Sequence, residues 1–250
     1  MDHAPSNAED GSYRPAKYTF SGPAFKGLDP STCNAKLLAY LASNLFILDP
    51  VYGVLPSLQG MQPYRLEMGC KGLDIGGSTK TKKETLAPYW RESATTYLGS
   101  ELRKYSSEEE GEESATDNSS SEKVEELMDD WPILVNLASE EYSSSIDPAS
   151  LPRNTIYLSV VFRHQGPVIA VHAKRARGLM ARYLADQEAH TLEQIAQFDL
   201  EGYECSNLNG KSYEVMDRVG DGVHMARMIF DRDNAPPKGT ETKRAAGSKK

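Results

Sequence analysis

The chain has 250 residues, of which 39% are hydrophobic and 26% are charged, and its formal net charge at pH 7 is -8. This length supports one substantial hydrophobic core, and no apolar run reaches the ~18 residues that a membrane-spanning helix needs. We therefore expect a single soluble domain with no membrane partner. Separately, we expect a monomer in the cytosol.

The acidic residues are concentrated in one segment. Residues 106–130 carry eleven acids against Lys123, a local charge of -10, so the rest of the chain carries +2. This Ser- and Glu-rich stretch has too few apolar residues to offset the entropy lost on folding. We predict a disordered acidic insert at 106–130, disordered ends at 1–17 and 234–250, and one folded domain at 18–233.

Cysteine and histidine spacing gives no indication of a metal centre. The three cysteines form no CxxC pair, and the five histidines show no HExxH or similar ligand spacing. The sequence therefore predicts free thiols, no metal and no cofactor.

The predicted elements alternate along the chain between helices and strands. Apolar residues at three- and four-residue steps predict helices at 34–48 and 84–105, and an apolar run predicts a buried strand at 133–138. The segments 155–162 and 168–172 flank HQGP and suggest a β-hairpin, followed by a helix at 173–187. The expected fold class is α/β, a single mixed domain with a central sheet flanked by helices.

The last of these helices, HAKRARGLMARYLA at 172–185, has two unlike sides. Its apolar residues share one arc, and the opposite arc carries four cations: Lys174, Arg175, Arg177 and Arg182. Gly178 lies in the middle of that basic arc, although glycine in a helix interior costs about 1 kcal/mol relative to alanine. Cations in the first turn also oppose the helix dipole. This arrangement fits either an ordinary amphipathic helix or one that contacts phosphate, with Gly178 admitting a bulky partner.

Two further segments contain candidate polar residues. In MQPYRLEMG at 61–69, an extended backbone places Arg65 and Glu67 on one face, either as a surface pair or in a cleft. The strand at 133–138 contains Asn136, which needs a hydrogen-bond partner, and ends at Ser139, a candidate helix cap.

In order and spacing, these segments resemble the YaaA peroxide-stress family. The likeness is carried by VYGVL at 51–55, MQPYRLEMG at 61–69, VNLASEEY at 135–142 and AKRARGLMARYL at 173–184, with weaker matches in AFKG, PYW and EGY. Two departures stand out: the family's segment before AFKG is absent, and DPVYG replaces its glycine-containing turn. The missing segment suggests a YaaA-like fold without a strand, and the acidic insert suggests a eukaryotic member.

The resemblance implies a cytosolic protein of the response to hydroperoxide that limits iron-dependent oxidative damage and binds DNA through a basic cleft. It assigns the cleft cations to Lys26, Arg65, Lys174, Arg175, Arg177 and Arg182, with Glu67, Asn136, Ser139 and Gly178 supporting them. Such phosphate contacts bind duplex or distorted DNA without reading its sequence.

Two other interpretations stay open from the residues. One is an enzyme acting on a nucleotide or another phosphorylated small molecule, with Arg65 and the basic helix holding phosphate and Glu67 or Glu140 as general base. No nucleophile-base pair or glycine-rich phosphate loop supports catalysis, so we expect a protein that is not an enzyme. The other is a shortened protein without activity.

Overall fold

The computed structural model describes residues 13–73, 85–105, 130–208 and 210–233. The predicted basic tail at 234–250 and nearly all of the predicted acidic insert lie outside the described residues. Seven helices and nine strands follow one another in this part of the chain. The helices are α1 (Ala16–Thr19), α2 (Pro23–Leu28), α3 (Ala35–Asn44), α4 (Ala87–Arg103), α5 (Glu140–Ser143), α6 (Ala170–Gln187) and α7 (Leu192–Ala196). The strands are β1 (Arg14–Pro15), β2 (Phe46–Asp49), β3 (Gly53–Pro56), β4 (Gly60–Met61), β5 (Ile133–Asn136), β6 (Ile156–His164), β7 (Glu204–Cys205), β8 (Glu214–Val219) and β9 (Val223–Arg232).

A five-stranded sheet organises the domain. Its order is β5-β6-β9-β7, with β8 also paired to β9. Strands β5, β6 and β9 run parallel, whereas β7 and β8 are antiparallel to β9. The expected mixed α/β domain with a central sheet is therefore confirmed.

Alternate residues of β6 face two separate cores. Ile156, Leu158, Val160 and Phe162 pack with α6 and α7 in one cluster. Tyr157 faces the other side of the sheet and packs with the apolar face of α4. Such strands, covered by helices on both faces, are typical of parallel sheets.

The connection between β6 and α6 differs from the predicted hairpin. The strand continues to His164, Gln165 and Gly166 adopt positive φ values of 52° and 96°, and α6 begins at Ala170. The segment 168–172 therefore starts a helix, and β6 pairs with parallel neighbours. The error has a physical cause: a short run such as VIAV fits strand and helix equally well by periodicity alone.

Two further boundaries also differ from the predictions. The helix expected at 34–48 ends at Asn44, and its last residues form β2, which pairs with β3. At the amino-terminal side, the predicted disordered segment 1–17 is too long, because residues 14–17 belong to β1 and α1. Ala16 and Lys17 are both buried there. The helices expected at 84–105 and 173–187 are confirmed as α4 and α6, and the strand at 133–138 as β5.

The DPVYG turn joins β2 to β3 through the buried carboxylate of Asp49. One oxygen of this carboxylate accepts the backbone N–H groups of Val51 and Tyr52, each at 2.8 Å, and the other accepts the hydroxyl of Tyr64. Burial, followed by this bond, raises the pKa of Tyr64. The backbone N–H groups of Val51 and Tyr52 are therefore hydrogen-bonded within the turn.

The cysteines, the helix lengths and the possible metal ligands can be compared with the sequence. Cys33, Cys70 and Cys205 are free thiols, as predicted. In the described ranges, no helix combines the length and apolar character that a bilayer crossing requires, and no cluster of three acidic, histidine or cysteine side chains is placed to bind a metal ion.

Candidate functional site

Helices α2 and α6 cross in backbone contact at two glycines. A Cβ atom on Gly178 would overlap the carbonyl group of Ala24, with its carbon only 2.6 Å away, and a Cβ on Gly27 would lie 2.9 Å from the amide nitrogen of Leu179. Gly178, the small residue in the basic arc, is thus buried beneath α2. The interpretation that Gly178 admits an external partner is wrong, because another helix of the same chain fills the space.

The two sides of α6 are otherwise as predicted. Ala173, Ala176, Met180 and Leu184 pack against the sheet. Ala185 lies instead in a smaller cluster with Leu28, and Ala181 packs at its edge. The helix is therefore held on two sides, by the sheet and by α2.

Two of the predicted cations are engaged by neighbouring carboxylates. Arg175 forms an ion pair of 2.7 Å with Glu201. Arg182 forms one of 3.0 Å with Asp186, and its Nη1 also donates to the carbonyls of Leu28 and Asp29 and to the Thr32 hydroxyl. Arg182 thus ties α6 to the end of α2, which is a structural use of a guanidinium group expected to contact phosphate.

The other three cations near this crossing differ in how accessible they are. Lys26 and Lys174 are exposed, and no carboxylate partner is found for either in the described part of the chain. Both lysines are close to the helix crossing. Lys26 precedes Gly27, Lys174 precedes Arg175, and the backbones of Gly27 and Arg175 are in contact there. Arg177 is partly buried, its Nε has no hydrogen-bond partner, and burial lowers its pKa.

Arg65 lies at a different place, in an open cleft of about 520 Å³. The lining residues come from 65–70 and from Glu141, and none belongs to α6. Arg65 and Glu67 are exposed, while Tyr64 and Leu66 are partly buried and Met68 is fully buried, so the predicted alternation is confirmed. The structure therefore places Arg65 with Glu67 in one cleft, and places the α6 cations elsewhere.

The remaining predicted residues have local structural partners. The side-chain oxygen of Asn136 accepts the backbone N–H of Ala138 at 3.0 Å, in the turn that ends β5. Ser139 is the N-cap residue of α5 by position, but its hydroxyl makes no capping bond. The Asn136 side chain therefore holds the turn that leads to Glu141, and Ser139 contributes only its backbone carbonyl, which accepts the N–H groups of Tyr142 and Ser143.

Several polar residues of the site were missed from the sequence. Glu141, and not its neighbour Glu140, lines the cleft, and its carboxylate accepts the N–H of Gly69 at 2.6 Å. Glu201 pairs with Arg175 and with the buried Arg232. The only signal for Glu201 was its place in EGY, because no local pattern predicts a partner 26 residues away.

Fold and site together define a single-domain α/β protein whose basic helix is crossed tightly by a short, lysine-bearing helix. Comparison with known sequences identifies the family. The family model for the peroxide stress protein YaaA matches residues 2–208. The chain therefore belongs to the YaaA peroxide stress protein family.

Curated relatives show the same relationship. A UPF0246 protein of Idiomarina loihiensis is 36% identical over 76% of this chain and 63% of its own length. A UPF0246 protein of a Janthinobacterium species is 35% identical over 82% of this chain and 69% of its own length. A UPF0246 protein of a Psychrobacter species is 36% identical over 76% of this chain and 62% of its own length. The chain thus spans less than two thirds of the first of these relatives, and all three are bacterial.

Proposed function

We propose that this protein binds the phosphate backbone of DNA without sequence preference and acts in the cellular response to hydroperoxide. The stress role is supported by the family to which the chain belongs. Binding is supported above all by Lys26 and Lys174, two exposed cations that flank the α2–α6 crossing without carboxylate partners in the described ranges. Lysines of this kind bind a polyanion at little cost, since no ion pair has to be broken first.

The net charge of the whole chain does not oppose such binding. Eleven acids lie in the segment 106–130, and the remaining residues sum to +2. Over the short screening length at physiological salt, the charges next to the interface matter more than distant ones. A locally basic surface is therefore compatible with an acidic chain.

The same contacts suggest how damage by unincorporated iron is limited. A protein that neutralises backbone phosphates releases the cations condensed on them. Ferrous iron condensed on the phosphates would be among those cations, so coverage of the backbone would move it away from the DNA. This role needs no metal site in the protein and no enzymatic step, and it belongs to a monomer in the cytosol.

The lysines at the crossing provide the test. We expect the double variant K26Q/K174Q to bind a labelled duplex more weakly than the unaltered protein in fluorescence anisotropy. A plot of log affinity against log salt should lose about 0.9 units of slope for each phosphate contact removed. The control is R153Q, compared per charge removed, because Arg153 is exposed before the amino-terminal end of β6, at the end of the sheet opposite the start of α6.

An equal loss of slope per charge removed in K26Q/K174Q and in R153Q would remove the proposal. A third variant, R65Q, tests whether the cleft belongs to the same interface. A loss of duplex affinity in R65Q places Arg65 on the DNA path, whereas unchanged affinity separates the cleft from it.

A second candidate function is an enzyme acting on a nucleotide or another phosphorylated small molecule. The observation that favours it is the Arg65 cleft, where a cation without an ion-pair partner in the described ranges lies beside Glu67 and Glu141. Arg65 would hold phosphate there, and Glu67 would act as a general base. Glu141 is less suited to that role, because its carboxylate already accepts the Gly69 amide.

A further inference from the structure

A second group of cationic and ionisable side chains meets where β6 and β9 end and α6 begins. His164 and Arg232 are paired across these parallel strands, and Nε of Arg232 donates to Nδ1 of His164 at 3.2 Å. The ring of His172, in the first turn of α6, lies 4.8 Å from that of His164. Because Nδ1 of His164 accepts this bond, a neutral His164 carries its proton on Nε2.

Arg232 is the residue that indicates a ligand. It is only 2% exposed, and its Nη2 atom has no hydrogen-bond partner in the described part of the chain. Its guanidinium group is held over the ring of Tyr203, 4.7 Å from the centroid. A buried charge is costly unless it is fully paired, so an incompletely bonded guanidinium in a polar cluster favours binding of an anion.

An internal carboxylate lies beside Nη1 of Arg232 and leaves Nη2 unpaired. Glu201 contacts Arg175 at 2.7 Å and Arg232 at 3.6 Å. It lies in a three-residue 3-10 turn with a left-handed φ of 54°, a strained conformation for a residue with a side chain. Its carboxylate is partly exposed, so an incoming anion has access to it and can replace it.

The start of α6 adds the backbone groups that an anion needs. The helix is 18 residues long, and no side chain caps its amino-terminal end. Its first N–H groups lack a side-chain partner, and the ring of His172 in its first turn brings this positive end of the helix dipole next to the cluster. A helix start of this kind, next to two arginines, is a favourable place for phosphate.

We propose that this cluster binds a phosphate monoester, which displaces Glu201 from Arg175 and Arg232. A monoester has three terminal oxygens and up to two negative charges, enough to serve both guanidinium groups and the helix start together. A backbone diester has two free oxygens and a sugar on each side, so it fits poorly against a guanidinium that is 2% exposed. The ligand is therefore a terminal phosphate, supplied either by a nucleotide or by the end of a DNA strand.

The test compares thymidine 5′-monophosphate with thymidine by calorimetric titration of the full chain. We expect saturable one-to-one binding of the monophosphate and no binding of thymidine. E201Q should bind the monophosphate more tightly, by roughly tenfold, because the apparent affinity rises with the fraction of open sites. R175Q should bind it more weakly, by roughly tenfold or more, through loss of a charge-assisted bond.

The ion pair between Arg227 and Glu214, on β9 and β8, provides matched controls. The two groups are 2.6 Å apart, and E214Q and R227Q change the chain's charge by the same amounts as E201Q and R175Q do. Both controls should leave monophosphate affinity unchanged. The proposal would be overturned if E201Q and R175Q changed the monophosphate affinity no more than E214Q and R227Q do. Equal binding of thymidine and its monophosphate would overturn it as well. Thermal melting of every variant, with and without the monophosphate, verifies folding and should show ligand stabilisation for E201Q.

Two arms distinguish the sources of the phosphate. A single-stranded oligonucleotide with a 5′-phosphate that binds more tightly than both its 5′-hydroxyl form and the monophosphate identifies a DNA end as the ligand. Equal affinity for the phosphorylated oligonucleotide and the monophosphate identifies a nucleotide. The duplex salt slope of K26Q/K174Q and the monophosphate affinities of E201Q and R175Q are separate measurements, so failure of the duplex proposal can be distinguished from failure of this site.

Discussion

At the scale of single residues, Gly178 and Gly27 set how closely α2 approaches α6. Both would bring a Cβ atom against the backbone of the other helix. Backbone atoms cannot rotate away as a flexible side chain can, so the two helices must separate if either glycine gains a side chain. The cost of glycine in a helix is offset here by close packing.

We expect Gly178→Ala to lower the free energy of unfolding by about 1–3 kcal/mol or more, the range for overpacking a core. Chemical denaturation measures the effect. Gly99→Ala is the control, because Gly99 is also helical but its Cβ would lie 3.4 Å from Pro152, an ordinary contact. That variant should gain up to about 1 kcal/mol from helix propensity. Equal stability of the two variants would show that the crossing is loose.

At the scale of elements, Arg182 joins α6 to the turn that follows α2. Its guanidinium bonds two carbonyls and a hydroxyl at 2.9–3.4 Å, in addition to its ion pair with Asp186. The carbonyls at the end of a short helix lack partners within the helix. Arg182 supplies those partners, so we assign its main role to helix packing.

Arg182→Met retains the apolar stem of the side chain and removes these bonds, and we expect it to cost about 2 kcal/mol of unfolding free energy. Asp186→Asn removes only the partly exposed ion pair and should cost less than about 1 kcal/mol. Thermal and chemical denaturation give both values. Duplex affinity should be unchanged in R182M at a temperature where it is folded; a loss as large as that of K26Q/K174Q would instead identify Arg182 as a phosphate contact.

At the scale of the whole molecule, the sheet buries titratable groups that affect stability against pH. His224, at the start of β9, is 8% exposed and lies 4.9 Å from the ring of Trp131. Burial, and then the charge of Arg218, lowers its pKa below the ordinary 6.5. The pKa of His172 is lowered by burial and by Arg232 and His164. In both cases the folded state binds protons less readily than the unfolded state.

Stability should therefore fall as the pH drops below about 6.5, because the unfolded chain takes up protons that the folded chain resists. One histidine contributes a slope of at most about 1.4 kcal/mol per pH unit. We expect His224→Gln to flatten the pH dependence of the unfolding free energy between about pH 7 and 5. His190→Gln, at an exposed position, is the control. A steeper fall for H224Q than for H190Q would contradict this account.

The sequence by itself determined the features that depend on neighbours along the chain. Periodicity located α4, β5 and α6, assigned the core face of α6, and gave the alternation from Tyr64 to Met68. Each of these follows from the 3.6-residue and two-residue repeats of helix and strand, which are local properties. The family resemblance also needed only short motifs in the correct order.

Tertiary structure alone decided what fills the space beside Gly178, which carboxylate meets each arginine, and where Arg65 lies. Glu201 reaches Arg175 only because the chain returns past α6 after α7, and β6 became a parallel strand because β5 and β9 lie on either side of it. Contacts between residues distant in sequence depend on how whole elements pack, and local repeats carry no information about that packing. The charges of the basic helix were therefore visible in the sequence, whereas their availability to a ligand was not.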